Sequence, residues 1–564
     1  MKIKLLFFLF YSSLLYAQSI PLFFKGNKEL GSRELYTALS LYKPYMYEFY
    51  KDEPAVDPKT LPIISQTLIN YYKSKGFYHA AIRYEQNNKA ITISITENTP
   101  IRIADITIIS DLDINSKLPF KKNDIFDAEK FIQSKKEIKL FYANNHYCNA
   151  ELDAKAWIDI ETKNAYLVYT LTPNEICYFA NITINKSQNI DEEIIKSLLY
   201  INEEELFSLT AITKSYQNLY AYDGILKALI DTEIYDNSSV DTTVSITENE
   251  KAMRFEAGFG ASSNEGLMVS LGLKHRNLFG NLKTLNFKTR VTQVKQTLKT
   301  SFDMPLLNKN TFGVEAGFEN EIFEGFKEKR VFGKIHLSQR LTPTSMKESL
   351  FFDHVNTYDS EDKVVFPEGV LFVLSPKLEW SYDTRDKILD PSKGYFLGSE
   401  VMGSVLSDIS DASYYKYKLN GGYILPIAST ILAAKVSFGS LHIYEGNIPA
   451  SYHFFAGGMD SNRAYSYRQL GLMDNQSNPI GFNSIFETKL EERFGIYGDI
   501  KGLVFNDNTY VANDSTPDFS DGHYTLGFGL RYTTPIGPIA LDYGFDVSNP
   551  RAQYAFHFHI GESF

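Results

Sequence analysis

From residue 252 to its last residue the chain alternates apolar and polar side chains in run after run. Met253, Phe255, Ala257 and Phe259 interleave with Arg254, Glu256, Gly258 and Gly260. Leu285, Phe287, Thr289 and Val291 do so with Asn286, Lys288, Arg290 and Thr292, and Ile539, Leu541, Tyr543 and Phe545 with Ala540, Asp542, Gly544 and Asp546. A period of two sends successive side chains to opposite faces of a strand, so this region predicts an all-β fold. A soluble sandwich alternates too, and three further features favour a membrane barrel. The polar face carries charges of both signs, which a watery lumen permits. The strand-like stretches are long and numerous. The chain also ends as one of them, Tyr554, Phe556, Phe558 and Ile560, closing on the aromatic Phe564. Sixteen antiparallel strands in the 313 residues of 252–564 would take about 20 residues per strand and connection, where ~9–11 residues are needed to cross a bilayer; length alone leaves the number open. An even strand number is the rule for bacterial barrels.

Glycine marks where this region begins. Residues 1–251 hold Gly26, Gly31, Gly76 and Gly224, and the remaining 30 of the 34 glycines follow. The front half therefore reads as mixed α/β, since glycine is disfavoured inside helices and useful at bends of curved sheets. It also repeats. Ile95-Thr96-Glu97-Asn98, Leu171-Thr172-Pro173-Asn174 and Ile246-Thr247-Glu248-Asn249 recur at spacings of 76 and 75 residues. Upstream of each stands a second recurring element: Tyr72…Gly76-Phe77…Ala80, Tyr142…His146-Tyr147…Ala150 and Tyr220…Gly224-Ile225…Ala228. That period is too long for a solenoid unit and suits a tandem small domain. Each unit opens with a strand (Leu22 to Lys25, Ile103 to Ile109, Phe179 to Ile184). Helical pattern follows, as in Ile64, Leu68, Tyr71 and Tyr72 on one face. The Gly or His then serves as a C-cap, and two strands close the unit, giving β-α-α-β-β.

The first 17 residues read as a secretory signal peptide, with Lys2 and Lys4 before an apolar stretch from Leu5 to Leu15 and a small Ala17 at the cut. Elsewhere no apolar run reaches the ~18 residues of a spanning helix. A net charge of −11 offers no basic patch for nucleic acid. Cys148 and Cys177, the only cysteines, fall near domain edges and in an exported chain either pair or remain buried thiols. No G-x-S-x-G elbow, H-E-x-x-H helix or P-loop occurs, so no enzyme activity is expected. His557 and His559 lie two apart on a strand, and two ligands do not make a metal site. No cofactor is expected.

The β-α-α-β-β order with its aromatic–Gly–aromatic–x-x-Ala pattern resembles the POTRA domain. Four barrel segments resemble the superfamily of outer-membrane assembly factors and two-partner secretion transporters, the BamA/TamA family. They are His275-Arg276-Asn277-Leu278-Phe279-Gly280; Asp383-Thr384-Arg385-Asp386 with Pro391-Ser392-Lys393-Gly394-Tyr395; Phe455-Ala456-Gly457-Gly458-Met459-Asp460-Ser461-Asn462-Arg463-Ala464-Tyr465; and Gly527-Phe528-Gly529-Leu530-Arg531-Tyr532 with Pro535-Ile536-Gly537-Pro538-Ile539. The resemblance implies α+β tandem POTRA-like domains at 18–100, 101–175 and 176–251, after a signal peptide at 1–17, and a transmembrane β-barrel of sixteen antiparallel strands at 252–564. It implies a location in the bacterial outer membrane with the N-terminal domains in the periplasm.

The same resemblance implies a long extracellular loop that folds back into the lumen. There Arg463, with Gly457, Gly458 and Tyr465 around it, meets acidic groups at the positions of Glu487 and Asp507; a solvated loop arginine is the alternative. Asn462 and Ala464 depart from the family's Val and Gly, and Ala tolerates a left-handed backbone poorly, so the tip is expected to turn in its own way. The resemblance also implies a seam between the first and last strands, carrying Phe255 and Phe259 on one side and Phe556, Phe558, Ile560 and Phe564 on the other. Three repeats give the arrangement of the TamA-like branch. Its implied partners are unfolded outer-membrane or autotransporter clients, outer-membrane lipid, and a TamB-like protein anchored in the inner membrane. A transporter for one dedicated partner, or a short BamA, is the alternative.

Overall fold

The computed structural model describes residues 19–44, 52–87, 89–236, 238–364, 366–388, 390–427, 430–474, 476–497, 499–534 and 537–560. The signal peptide at 1–17 and Phe564 lie outside the described residues. The chain divides into two compact units, Met1–Asn181 with Glu203–Thr210 and Thr232–Asp241, and Ile182–Asn202 with Ala211–Asp231 and Thr242–Phe564. The division runs through the third repeat.

In the first unit, repeat one contains β1 (Ile20–Lys25), α1 (Ser32–Ala38), β2 (Ala55–Val56), α2 (Leu61–Ser74), β3 (Ala81–Gln86) and β4 (Ile91–Thr96). Its sheet order is β2-β1-β4-β3, with β1 parallel to β4. Ile64, Leu68 and Tyr72 recur every four residues on α2 and are buried with Leu22, Leu35, Ile91 and Ile93, so one stripe of the helix seals the sheet. Repeat two contains β5 (Arg102–Ile109), α3 (Ala128–Asn144), β6 (Glu151–Asp159) and β7 (Asn164–Thr172), in the order β5-β7-β6. It departs from β-α-α-β-β, because a 3-10 turn at Asn115–Lys117 stands where the first helix was expected. The Asp113 carboxylate accepts from the Asn115 N–H at 2.9 Å. Repeat three contains β8 (Tyr178–Ile184), α4 (Glu192–Leu198), α5 (Leu209–Leu219), β9 (Ile225–Tyr235) and β10 (Ser239–Glu248), in sheet order β8-β10-β9.

The recurring motifs build the joints between domains. Gly76 has φ +89°, and a Cβ there would lie 2.5 Å from the Phe126 oxygen; its carbonyl accepts from the Ile101 N–H at 2.8 Å. His146 takes the same left-handed conformation (φ +75°), and its carbonyl accepts from the Cys177 N–H at 2.8 Å. The third copy differs. Gly224 accepts from the Asn249 N–H at 2.8 Å but is not in the left-handed region and does not cap α5. A Cβ there would meet Leu282 Cδ2 at 2.8 Å and the Arg276 oxygen at 3.0 Å, so close approach is what requires glycine. Cys148 and Cys177 form a disulfide across the second joint. The recurring glutamate closes repeats one and three. Glu97 accepts from the N–H groups of Lys28 and Glu29 at 2.9 Å and of Leu30 at 3.2 Å. Burial pushes its carboxyl up, but those N–H groups and the Tyr72 hydroxyl outweigh it and hold the pKa below the usual range.

The second unit is dominated by a closed sixteen-stranded barrel running from β11 (Met253–Ser262) to β26 (Tyr554–Ile560), each strand antiparallel to the next. Alternation sorts its faces: Phe255, Phe259, Leu285, Phe287, Leu541 and Phe556 are exposed on the outside, while Glu319, Asp353, Asp507 and Asp542 are buried on the inside. Among the described residues, no helix is long and apolar enough to cross a membrane. The barrel crosses with strands.

Candidate functional site

The connection between β21 (Thr430–Gly446) and β22 (Ser484–Tyr497) is a long loop, residues 447–483. Its hydrogen bonds run to lumen-facing side chains of the wall. Arg463 is 2% exposed. Its Nε and Nη2 donate to the two oxygens of Asp507, on β23 (Ile500–Ala512), both at 2.8 Å. Its Nη1 donates to Glu491 on β22 at 2.8 Å and stands 3.5 Å from Asp542 on β25 (Gly537–Asp546). The guanidinium lies over the Phe505 ring at 3.4 Å. Planar, doubly hydrogen-bonded and stacked, this arrangement uses features that lysine lacks.

Glycines shape the socket. On β24 (Gly522–Thr534), a Cβ at Gly527 would lie 2.2 Å from the Phe505 ring, and one at Gly529 would lie 1.9 Å from the Asp542 carboxylate. The inward face of Gly527-Phe528-Gly529-Leu530-Arg531 is therefore bare where the socket needs room. It then supplies Arg531, whose Nη1 and Nη2 donate to Asp542 at 2.6 and 2.8 Å.

The other expected residues are distributed around the tip. Gly457 and Gly458 both have φ +100°, and the Gly458 N–H donates to the Tyr465 carbonyl at 3.0 Å, turning the loop back on itself. The Tyr465 hydroxyl donates to Asp546 at 2.7 Å. Glu487 is not a partner of Arg463: it accepts from the Ser461 hydroxyl. The tip reaches past it to Glu491, four residues further along the same face of β22. Asn462, Arg463 and Ala464 are not in the left-handed region, so Ala464 carries no backbone strain. Asn462 replaces apolar packing with bonds: its oxygen accepts from Thr525 Oγ1 at 2.5 Å and its nitrogen donates to Thr509 Oγ1 at 3.3 Å.

Sequence reasoning missed a second attachment on another part of the wall. Tyr452 in the loop donates its hydroxyl to Asp353, on β17 (Thr344–Tyr358). Arg330, on β16 (Phe326–Leu341), donates its Nε to the same carboxylate at 2.7 Å. Ser451 donates its hydroxyl to Glu328, also on β16, at 2.6 Å. Asp353 is 0% exposed. Charged residues on the inward face of β16 and β17 were the available signal, but nothing in the pattern joins them to Tyr452.

The remaining motifs hold turns. Asn281 Nδ2 donates to Asp191 at 2.6 Å, and the Asn281 N–H to the Asn189 carbonyl at 2.7 Å. The turn at 276–283, between the second and third barrel strands, is thereby tied to repeat three. Arg385 clasps Asp383 through Nε at 2.9 Å and Nη2 at 2.6 Å, in the turn between β18 (Gly369–Asp383) and β19 (Gly394–Ser404).

The seam is sparse. Between β11 and β26 the described residues give two register pairs, Ala261 with Ile560 and Ser262 with His559. On its other side β26 pairs with β25 from Ile539–Ile560 to Phe545–Tyr554. Phe255, Phe259, Phe556, Phe558 and Ile560 all lie exposed on the outer surface flanking this seam.

The chain resembles known proteins along almost its whole length. The Omp85 superfamily domain matches residues 277–564, and POTRA, described as a surface antigen variable number repeat, matches residues 100–174. Outer membrane protein assembly factor BamA of Nitratidesulfovibrio vulgaris is 21% identical over 576 residues, 96% of this chain and 72% of that relative. A putative outer membrane protein assembly factor of Treponema pallidum is 21% identical over 448 residues, 66% of this chain and 52% of that relative, so the chain spans about half its length. Among solved structures, BamA from Haemophilus ducreyi lacking POTRA domains 1-3 superposes with TM-score 0.58 at 17% identity, over 82% of this chain and 100% of that one. CdiB from Escherichia coli gives TM-score 0.52 at 10% identity, over 90% and 97%. These structural likenesses establish the fold. Since the superfamily domain accounts for more than half of its residues, the chain belongs to the Omp85 superfamily and is an outer-membrane β-barrel with N-terminal POTRA domains.

Proposed function

We propose that this protein inserts or exports client β-proteins at the outer membrane, as an assembly factor of the TamA-like arrangement. The observation that carries this reading is the seam. β11 and β26 are the first and last strands of the closed wall, so no chain connection joins them and this joint can open sideways without unthreading a turn; an open edge templates the pairing of an added strand. The client's own apolar burial in lipid supplies the driving force, so the cycle needs no hydrolysis and no cofactor. Exposed strand edges of the POTRA sheets, such as β6, offer a first pairing site in the periplasm. The resemblance to a three-repeat chain further implies an inner-membrane-anchored partner of the TamB kind.

Depleting the protein and cataloguing the outer-membrane proteome tests this reading. A defined set of β-barrel or autotransporter proteins is expected to fall by several-fold. Locking the seam with Ala261→Cys and Ile560→Cys is expected to reproduce that loss under oxidising conditions and to reverse on reduction. An unchanged proteome on depletion, or full assembly with the seam locked, overturns it.

A further inference from the structure

His557 on β26 is 2% exposed and stands between the tip of the inward loop and the seam. Its Nε2 is 3.2 Å from the Arg463 carbonyl oxygen, and its Nδ1 is 3.2 Å from Ser263 Oγ. A carbonyl oxygen only accepts, so Nε2 carries the proton and Nδ1 is left to accept from the Ser263 hydroxyl. Ser263 follows β11 directly and so lies across the seam. Its N–H donates to the Phe558 carbonyl at 3.0 Å, and its Oγ accepts from the Phe558 N–H at 3.3 Å. One neutral ring thus joins the loop tip, the last strand and the turn after the first strand. Bare glycines make the approach possible: a Cβ at Gly544 would lie 2.4 Å from the Arg463 oxygen, and one at Gly260 2.4 Å from the Ile560 oxygen.

We propose that His557 is a positioning residue that couples docking of the Arg463 loop to closure of the seam. With Arg463 in its socket, the carbonyl fixes the ring so that Nδ1 faces Ser263. Ser263 is then held against Phe558, beside the register pairs Ala261–Ile560 and Ser262–His559 of the seam. Withdrawal of the tip leaves Nε2 without its acceptor and the ring free to turn, and Ser263 loses its partner. A client or partner that opens the seam does so by first disengaging the loop tip.

The inference rests on the seam reading, and the two fail separately. Ala261→Cys and Ile560→Cys face each other in register, and the native cysteines are already paired. The rate at which the introduced pair oxidises in purified, folded full-length protein reports how often the seam is closed. Heat-modifiable migration verifies that each variant retains the barrel. His557→Ala and Arg463→Ala are each expected to slow oxidation several-fold. The double variant is expected to be no slower than the slower single, and His557→Gln, which keeps a donor and an acceptor, to recover most of the rate. An unchanged rate in His557→Ala, multiplicative losses in the double variant, or a His557→Gln as slow as the alanine each overturns the coupling. Full client assembly by the locked chain sinks the seam reading instead, whatever the rates.

Discussion

Two of the places where the inward loop is attached to the barrel wall use the same residue types in opposite ways. At the tip the loop brings the cation: Arg463 is set among Asp507, Glu491 and Asp542. At the shoulder the wall already holds a closed pair, Arg330 with Asp353, and the loop adds the neutral hydroxyls of Tyr452 and Ser451. The difference decides what each attachment is worth. Removing Arg463 leaves Asp507 without its cation, although Asp542 keeps Arg531 and Glu491 keeps Arg493, whereas removing a neutral donor from a carboxylate that retains its arginine forfeits one hydrogen bond. Of these two attachments the tip is therefore the stronger hold, and the shoulder the weaker.

The comparison is measurable through Ala456→Cys. Ala456 is 0% exposed and lies in the loop between the two attachments, so its labelling by a water-soluble maleimide reports how often the loop is released. Arg463→Ala breaks the tip and has the largest expected effect. Breaking a buried pair costs roughly 3–5 kcal/mol, and tenfold corresponds to about 1.4 kcal/mol. Labelling is therefore expected to rise by on the order of 100-fold or more. A rise below about tenfold would place the hold elsewhere. Arg463→Lys keeps the charge but loses the parallel bonds to Asp507 and the stacking on Phe505, and is expected to raise labelling by about tenfold. Equal rates for lysine and arginine would mean that charge alone fastens the tip.

The two attachments also differ in how far the sequence revealed them. Alternation alone sorts faces and does not choose partners; the pairing of Arg463 with Asp507 or Glu487 was implied by the family resemblance of the segment Phe455 to Tyr465. The depth of the tip was not. Glu487 and Glu491 both face the lumen by the same period of two, and only the path of the loop decides that Ser461 takes the first and Arg463 the second. The shoulder was invisible, because Tyr452 and Asp353 lie 99 residues apart and neither belongs to a motif. A buried tyrosine looks like core until its hydroxyl has a partner. The barrel was legible because alternation persists over the whole region. The 3-10 turn of repeat two was not, since nothing in the pattern at Asn115–Lys117 separates one turn from a longer helix.

The smallest expected effect is at the shoulder, and it tests the comparison most directly. Tyr452→Phe removes the hydroxyl and keeps the ring, which packs against Tyr414 at 5.6 Å. Asp353 remains bonded to Arg330 through Nε at 2.7 Å, so no charge is left alone. The loss is then one bond from a neutral donor to an already neutralised carboxylate, at the lower end of hydrogen bonds to charged groups, about 1–1.5 kcal/mol. Labelling at Ala456→Cys is expected to rise by about five- to tenfold. Because the tip and shoulder contact different strands, the effects of Tyr452→Phe and Arg463→Lys should multiply. A Tyr452→Phe effect as large as that of Arg463→Ala would show that the Arg330–Asp353 pair depends on the loop for its integrity. The shoulder would then be a second charged anchor, and the contrast between the two attachments would be lost.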